Sequence, residues 1–172
     1  LQFDSKYIVL RHVNSFFLGV FVRNSTNAGL SIKDTVQFFF NDGQPAIAEA
    51  FMVWLSNLDV GDFASHLAYL VKNTPLDSTD PSMLRHMVSE NMTRIANAVR
   101  LHLAALDESI ERLKAEFGEN SPAYKAMNHR KRQYLEKHIL KFLAENSFLP
   151  NAGLPTGIAE FDNTTIKEIN TK

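Results

Sequence analysis

The sequence predicts an all-α protein: a small helical globule, a long antiparallel helical hairpin and an irregular C-terminal tail. Three observations carry that expectation. From Leu84 through Val88, Met92, Ile95, Val99, Leu103, Leu106, Ile110 and Leu113 to Phe117, apolar residues recur at steps of three or four, which lays one stripe along one helix face. Asp80-Pro81 and Ser121-Pro122 each read as an N-cap followed by proline at the first helical position, where the missing N–H costs nothing. Only Gly118-Glu119-Asn120 lies between the two patterns, and so short a connection makes the two helices antiparallel neighbours.

Taken in order, Asp4-Ser5 caps a first helix from Lys6 to about Val22. Tyr7, Leu10, Val13, Phe17 and Phe21 give it one apolar face, and Ile8, Val9, Phe16 and Leu18 a second, so burial on two sides is expected. Residues 23–29 form a polar turn. Ser31 or Asp34 then caps a short helix ending in Phe38-Phe39-Phe40, with a buried strand as the competing reading, because so short an apolar run hides its period. After the Asn41-Asp42-Gly43 break, Pro45 opens a helix to about Leu58 with Ile47, Phe51, Trp54 and Leu55 inward. Asp59 or Asp62 caps another through Val71, and the stretch Lys72–Thr79, which contains Pro75, is the best internal boundary. The expected organisation is a globule over 1–73, a hairpin over 80–146 with arms at 81–117 and 122–146, and a tail or junction over 147–172. At 1.5 Å per residue the first arm is about 55 Å long, more than a compact core needs, which suggests use by something outside the chain.

Composition narrows the function classes. The 172 residues carry 18 Lys+Arg against 19 Asp+Glu, so any nucleic-acid contact must come from a local patch rather than from global charge. No cysteine is present, which removes disulfides and thiolate metal sites and fits a cytoplasmic protein. The longest apolar runs are far too short to span a membrane. The chain opens on Leu-Gln-Phe-Asp without Met and without a basic segment before an apolar block, which points to a fragment or processed chain lacking a signal peptide.

The sharpest charge feature is His129-Arg130-Lys131-Arg132, extended by Lys125, Lys137 and Lys141. Helical spacing groups Lys125, His129 and Arg132 on one face, and Arg130, Lys137 and Lys141 on another. Such stripes can hold phosphates. Alternatively, Asp107, Glu108, Glu111 and Glu116 on the first arm neutralise them across the hairpin. The six histidines show no spacing expected of a helical metal site, so no metal is expected. Arg11, His12 and Asn14 are polar groups in an apolar helix and need partners, inside or outside the chain. No Gly-rich loop ends in Gly-Lys-Ser/Thr, and Ser65-His66 and Ser89-Glu90 are only sequence neighbours; catalytic residues and a cofactor are therefore not expected here.

Two stretches resemble one family. Tyr7-Ile-Val-Leu-Arg-His-Val-Asn-Ser15 resembles the I-x-x-R-H-I-N segment that follows the second RecA-like domain in a subset of bacterial DEAD/DEAH-box superfamily 2 helicases. Phe148-Leu-Pro-Asn-Ala-Gly-Leu-Pro155 resembles their L-L-P-x-Y-G-F-P element, with Ala152 and Leu154 standing where the family carries an aromatic residue and Phe. The resemblance covers about seventeen residues and implies a noncatalytic accessory module between the motor and a zinc-binding domain. In the parent, ATP and Mg would drive action on DNA, or less readily RNA. Arg11, His12 and Asn14 would dock the first helix on the motor, and Leu149, Pro150, Gly153 and Pro155 would form a junction. The competing expectation is a helical protein–protein or dimerisation module working through the hairpin, with no nucleic-acid role. Neither reading involves a membrane.

Overall fold

The computed structural model describes residues 5–26, 35–42 and 46–151. Among these, six α-helices follow one another: α1 (Lys6–Thr26), α2 (Ile47–Asn57), α3 (Ala64–Val71), α4 (Pro81–Phe117), α5 (Pro122–Leu135) and α6 (Ile139–Glu145). A π-helical turn, Phe38–Asp42, precedes α2, and a 3-10 turn, Val60–Phe63, leads into α3. The all-α expectation holds: the described residues contain no strand, only an isolated bridge between Thr35 and His138. The Phe38–Phe40 run is thus helical, and Thr35 Oγ1 caps it by accepting from the Phe38 N–H at 3.3 Å. Ser31, Asp34 and Pro45 lie outside the described residues.

Local chemistry sets the helix ends. Ser5 Oγ accepts from the Tyr7 N–H at 3.3 Å, Asp59 from the Gly61 N–H at 3.0 Å, Asp80 from the Ser82 N–H at 2.7 Å and Ser121 from the Tyr124 N–H at 3.2 Å. Each satisfies an amide that the first turn leaves without a helical partner. Gly118 ends α4 at φ 85° and ψ 165°, a backbone region essentially restricted to glycine. α6 closes in a Schellman motif: the Phe148 N–H bonds Leu143 O at 2.9 Å and the Ser147 N–H bonds Ala144 O at 3.2 Å. Ser147 takes the left-handed position, φ 66°, where glycine is usual.

The core forms where the first part of α4 meets α1, α2 and α3, and where α6 seals the assembly. Leu84, Val88, Met92, Ile95 and Val99 supply the α4 side, Val13, Phe17 and Leu18 the α1 side, and Ile139, Leu140 and Leu143 the α6 side. Phe51 stands among the aromatic rings, 5.3 Å from Phe21, 6.0 Å from Trp54 and 6.3 Å from Phe148. Such edge and offset contacts add to plain burial.

Several expectations need correcting. α1 runs four residues beyond Val22, and its first turn lies outside the core, with Tyr7 69% and Ile8 39% exposed. The α4 stripe from Leu84 to Val99, less than half of the helix, lies in the shared core. Leu106 and Ile110 are buried outside that cluster, on the stretch of α4 that leads toward the hairpin tip; Phe117 is exposed. α4 continues unbroken through Ala104-Ala105. The second arm is not one helix over 122–146: it stops at Leu135 and restarts at Ile139. α5 buries none of its residues, whereas α6 buries Ile139, Leu140, Phe142, Leu143 and Ala144. No single stripe continuing from α5 contains all five, so the chain must change direction to bury them. The Val36 N–H fixes the break by bonding Lys137 O at 2.9 Å, and His138 Nδ1 caps α6 through the Leu140 N–H at 3.3 Å.

Candidate nucleic-acid interface

α5 carries four cations, Lys125, Arg130, Lys131 and Arg132, together with His129 and no acidic residue. Its contact with α4 runs along Tyr124, Met127, Lys131 and Leu135, each half-buried and three or four residues apart. Lys131 therefore lies on the inner side, and its Nζ bonds Asp107 Oδ1 at 2.6 Å. Both partners remain substantially in water, so the pair contributes under about 1 kcal/mol. His129 falls on the opposite side of the helix, Lys125 and Arg132 on one flank and Arg130 on the other, and all four are exposed. None of these four is among the ion pairs of the described residues. Cross-hairpin neutralisation thus accounts for Lys131 and not for the outward stripe. At the hairpin tip Lys114 meets Glu119 at 3.2 Å, and the hydrogen bond to Glu119, followed by its charge and that of Glu111, holds the ammonium above its ordinary pKa.

The second expected stripe does not form on one helix. The break at 136–138 separates Arg130 on α5 from Lys141 on α6, and Lys137 lies in the break itself. Lys137 Nζ sits 3.9 Å from Glu145 and 5.9 Å from the Tyr134 ring centroid. Tyr134 in turn packs on His102 at 4.4 Å and on Phe142 at 5.8 Å, and burial raises its phenol pKa. Lys141 is exposed on α6 without an ion pair among the described residues.

Of the polar trio on α1, two residues find partners within the chain. Arg11 Nη2 donates to Ser147 Oγ at 2.8 Å, and Asn14 Nδ2 donates to Phe148 O at 2.9 Å from a fully buried position. Asn14 Oδ1 is buried with no partner among the described residues. His12 is more open to water, yet partial burial still holds its imidazole below the ordinary histidine value. Of the junction residues, Leu149 is buried and Pro150 half-buried; Gly153 and Pro155 lie outside the described residues. Of the second resembling stretch, Phe148 is thus held by Asn14 of the first.

One pairing escaped the sequence reading although its spacing was present. His86 Nε2 and Glu90 Oε1, at i and i+4 on α4, are 2.8 Å apart. They make a surface pair; no group of three or more potential ligands among the described residues is placed to hold a metal ion. Among the described residues, no helix is long and apolar enough to cross a membrane. No protein-family model, curated protein or solved structure matches the chain.

Proposed function

We propose that this chain is a noncatalytic accessory module of an ATP-dependent superfamily 2 helicase of the DEAD/DEAH-box type, and that the outer face of α5 meets nucleic-acid phosphates, on DNA in preference to RNA. In this reading the module bridges the motor, which supplies ATP and Mg chemistry, to downstream domains. The observation that carries the phosphate contact is the outward stripe of Lys125, His129 and Arg132, flanked by Arg130, on a helix without acidic residues. The link to helicases rests on the resemblance at 7–15 and 148–155, and the bond from Asn14 to Phe148 O joins the first stretch to the start of the second.

The test is a salt titration of DNA affinity for wild type and an Arg130→Gln/Arg132→Gln variant, with Lys131→Gln as the internal control. Each lost phosphate contact lowers the log–log slope by about 0.9 on duplex or about 0.7 on a single strand. Lys131→Gln should leave the slope unchanged, because that ammonium is bonded to Asp107. An unchanged slope in the double variant sinks the phosphate reading. The second reading, a helical protein–protein or dimerisation module, is favoured by the exposure of Leu101 and Phe117 on α4 and by the absence of buried residues on α5. Concentration-dependent sedimentation abolished by Phe117→Ser, together with no DNA affinity, would select it.

A further inference from the structure

A second positively charged surface lies in a cleft of about 670 Å³ between the first turns of α1 and the N-terminal half of α4. Lys6, Arg11 and Arg94 line it, and Glu90 is the one carboxylate among its described lining residues. Glu90 Oε1 lies 2.8 Å from His86 Nε2. Arg11 is held by Ser147, and Arg94 by Asn91 Oδ1 at 2.6 Å and Asn146 O at 3.4 Å, all neutral acceptors. Three cations therefore converge on one concavity against a single carboxylate among the described residues. Their mutual repulsion is relieved most effectively by an anion, and a concave wall concentrates the field that attracts one.

Aromatic surface accompanies the charge. Tyr7 is 69% exposed on the cleft wall, and Lys6 Nζ lies 5.3 Å from its ring centroid. Leu10 and Met87 add apolar lining. On the same helix the rings of Phe16, Phe17 and Phe21 are buried, whereas that of Tyr7 is open to solvent. An exposed ring beside a cationic groove is the combination that holds single-stranded nucleic acid, the bases stacking on the ring while the cations follow the phosphates. An acidic peptide would satisfy the cations but would make no use of Tyr7.

We propose that the α1/α4 cleft is a binding site for single-stranded nucleic acid, with Tyr7 as the stacking platform and Lys6, Arg11 and Arg94 as the phosphate contacts. This rests on the reading that the chain meets nucleic acid, but it assigns a site distinct from the α5 stripe, and the two can fail separately. The experiment is a fluorescence-anisotropy titration of the 172-residue chain with a labelled oligothymidylate. It is run between about 50 and 200 mM salt for wild type, Tyr7→Ala, Lys6→Gln/Arg94→Gln and Arg130→Gln/Arg132→Gln. Lys6 and Tyr7 are exposed, so their side-chain substitutions leave the core intact. Tyr7→Ala should weaken binding by about tenfold, the loss of one stacked base. Lys6→Gln/Arg94→Gln should lower the log–log slope by about 1.4, two contacts at about 0.7 each. If both cleft variants bind as wild type does while the α5 variant weakens, the cleft proposal is overturned and the α5 reading stands. If the cleft variants weaken and the α5 variant does not, the reverse holds. Absence of oligothymidylate binding by wild type overturns the cleft proposal outright, and duplex affinity then decides the α5 reading. Preferential binding of an oligoglutamate peptide that survives Tyr7→Ala makes an acidic protein segment the occupant and likewise overturns the proposal.

Discussion

Asn14 offers the most direct check on how the chain closes. Its amide is fully buried, donates to Phe148 O at 2.9 Å and leaves its own oxygen without a partner among the described residues. Asn14→Ala removes the donor and strands the Phe148 carbonyl, a cost of about 1–3 kcal/mol, but it also removes the unsatisfied Oδ1. The net loss should be about 1–2 kcal/mol, a fall in Tm of roughly 2–8 °C for a chain of this size. Asn14→Asp behaves differently because it introduces a carboxyl in place of the donor. Burial raises the folded-state pKa of that carboxyl above the unfolded value of about 3.9, so the folded state holds the proton more tightly. Stability is then lost as pH rises between the two values, by up to about 1.4 kcal/mol per pH unit. Below that window the protonated acid can donate to Phe148 O and the variant recovers. Urea unfolding followed by circular dichroism at pH 5 and pH 7 measures both variants, with Asn14→Ala reporting the background pH dependence. If Asn14→Asp costs no more than Asn14→Ala at pH 7, or if the gap between them does not change with pH, the contact is not the buried tie described.

Two further outcomes concern chain reversals. At Ser147, φ 66°, both Ser147→Ala and Ser147→Gly lose the bond from Arg11, but only glycine relieves the left-handed backbone; glycine should be the more stable by about 1–2 kcal/mol in parallel melts, and equality would contradict the assigned backbone. At Gly118, φ 85°, an added Cβ meets nothing within 4 Å, so Gly118→Ala should cost about 1–3 kcal/mol through backbone strain alone; hydrogen exchange should register it first at 114–124, and unchanged protection there would refute the account.

The elements legible in the sequence were those decided locally. α4 is long, periodic over its whole length and capped at both ends, and no tertiary contact had to intervene to place its limits. The break between α5 and α6 was hidden because Glu136-Lys137-His138 contains neither glycine nor proline. It is imposed by a backbone bond from Val36, about a hundred residues earlier, and by the burial of α6. Tyr7 continues the apolar spacing of α1 one turn past the end of the core, and spacing does not reveal where a neighbour stops. For the basic segment, the charge pattern leaned toward a solvated or cross-hairpin paired patch over phosphate contact. The helix face separates paired from exposed cations, turning Lys131 toward Asp107 and Lys125, His129 and Arg132 away. That Arg11 and Asn14 needed partners was legible; that the partners are Ser147 and Phe148 required the fold. The cationic cleft was invisible for the same reason, since Lys6 and Arg94 are brought together only by the packing of α1 on α4.

The grip of α1 on Ser147 and Phe148 also has a consequence in time. The two bonds span 136 and 134 residues. At a synthesis rate of about 5–20 residues per second, the partner of Asn14 is made roughly 7–27 s after Asn14 itself. Through that interval Phe16, Phe17 and Phe21 belong to a helix whose companions are incomplete, and their rings are exposed to whatever else is nearby. Newborn chains therefore pass through a window in which α1 is open to aggregation or to capture by a chaperone, and any slowing of translation before residue 148 lengthens it.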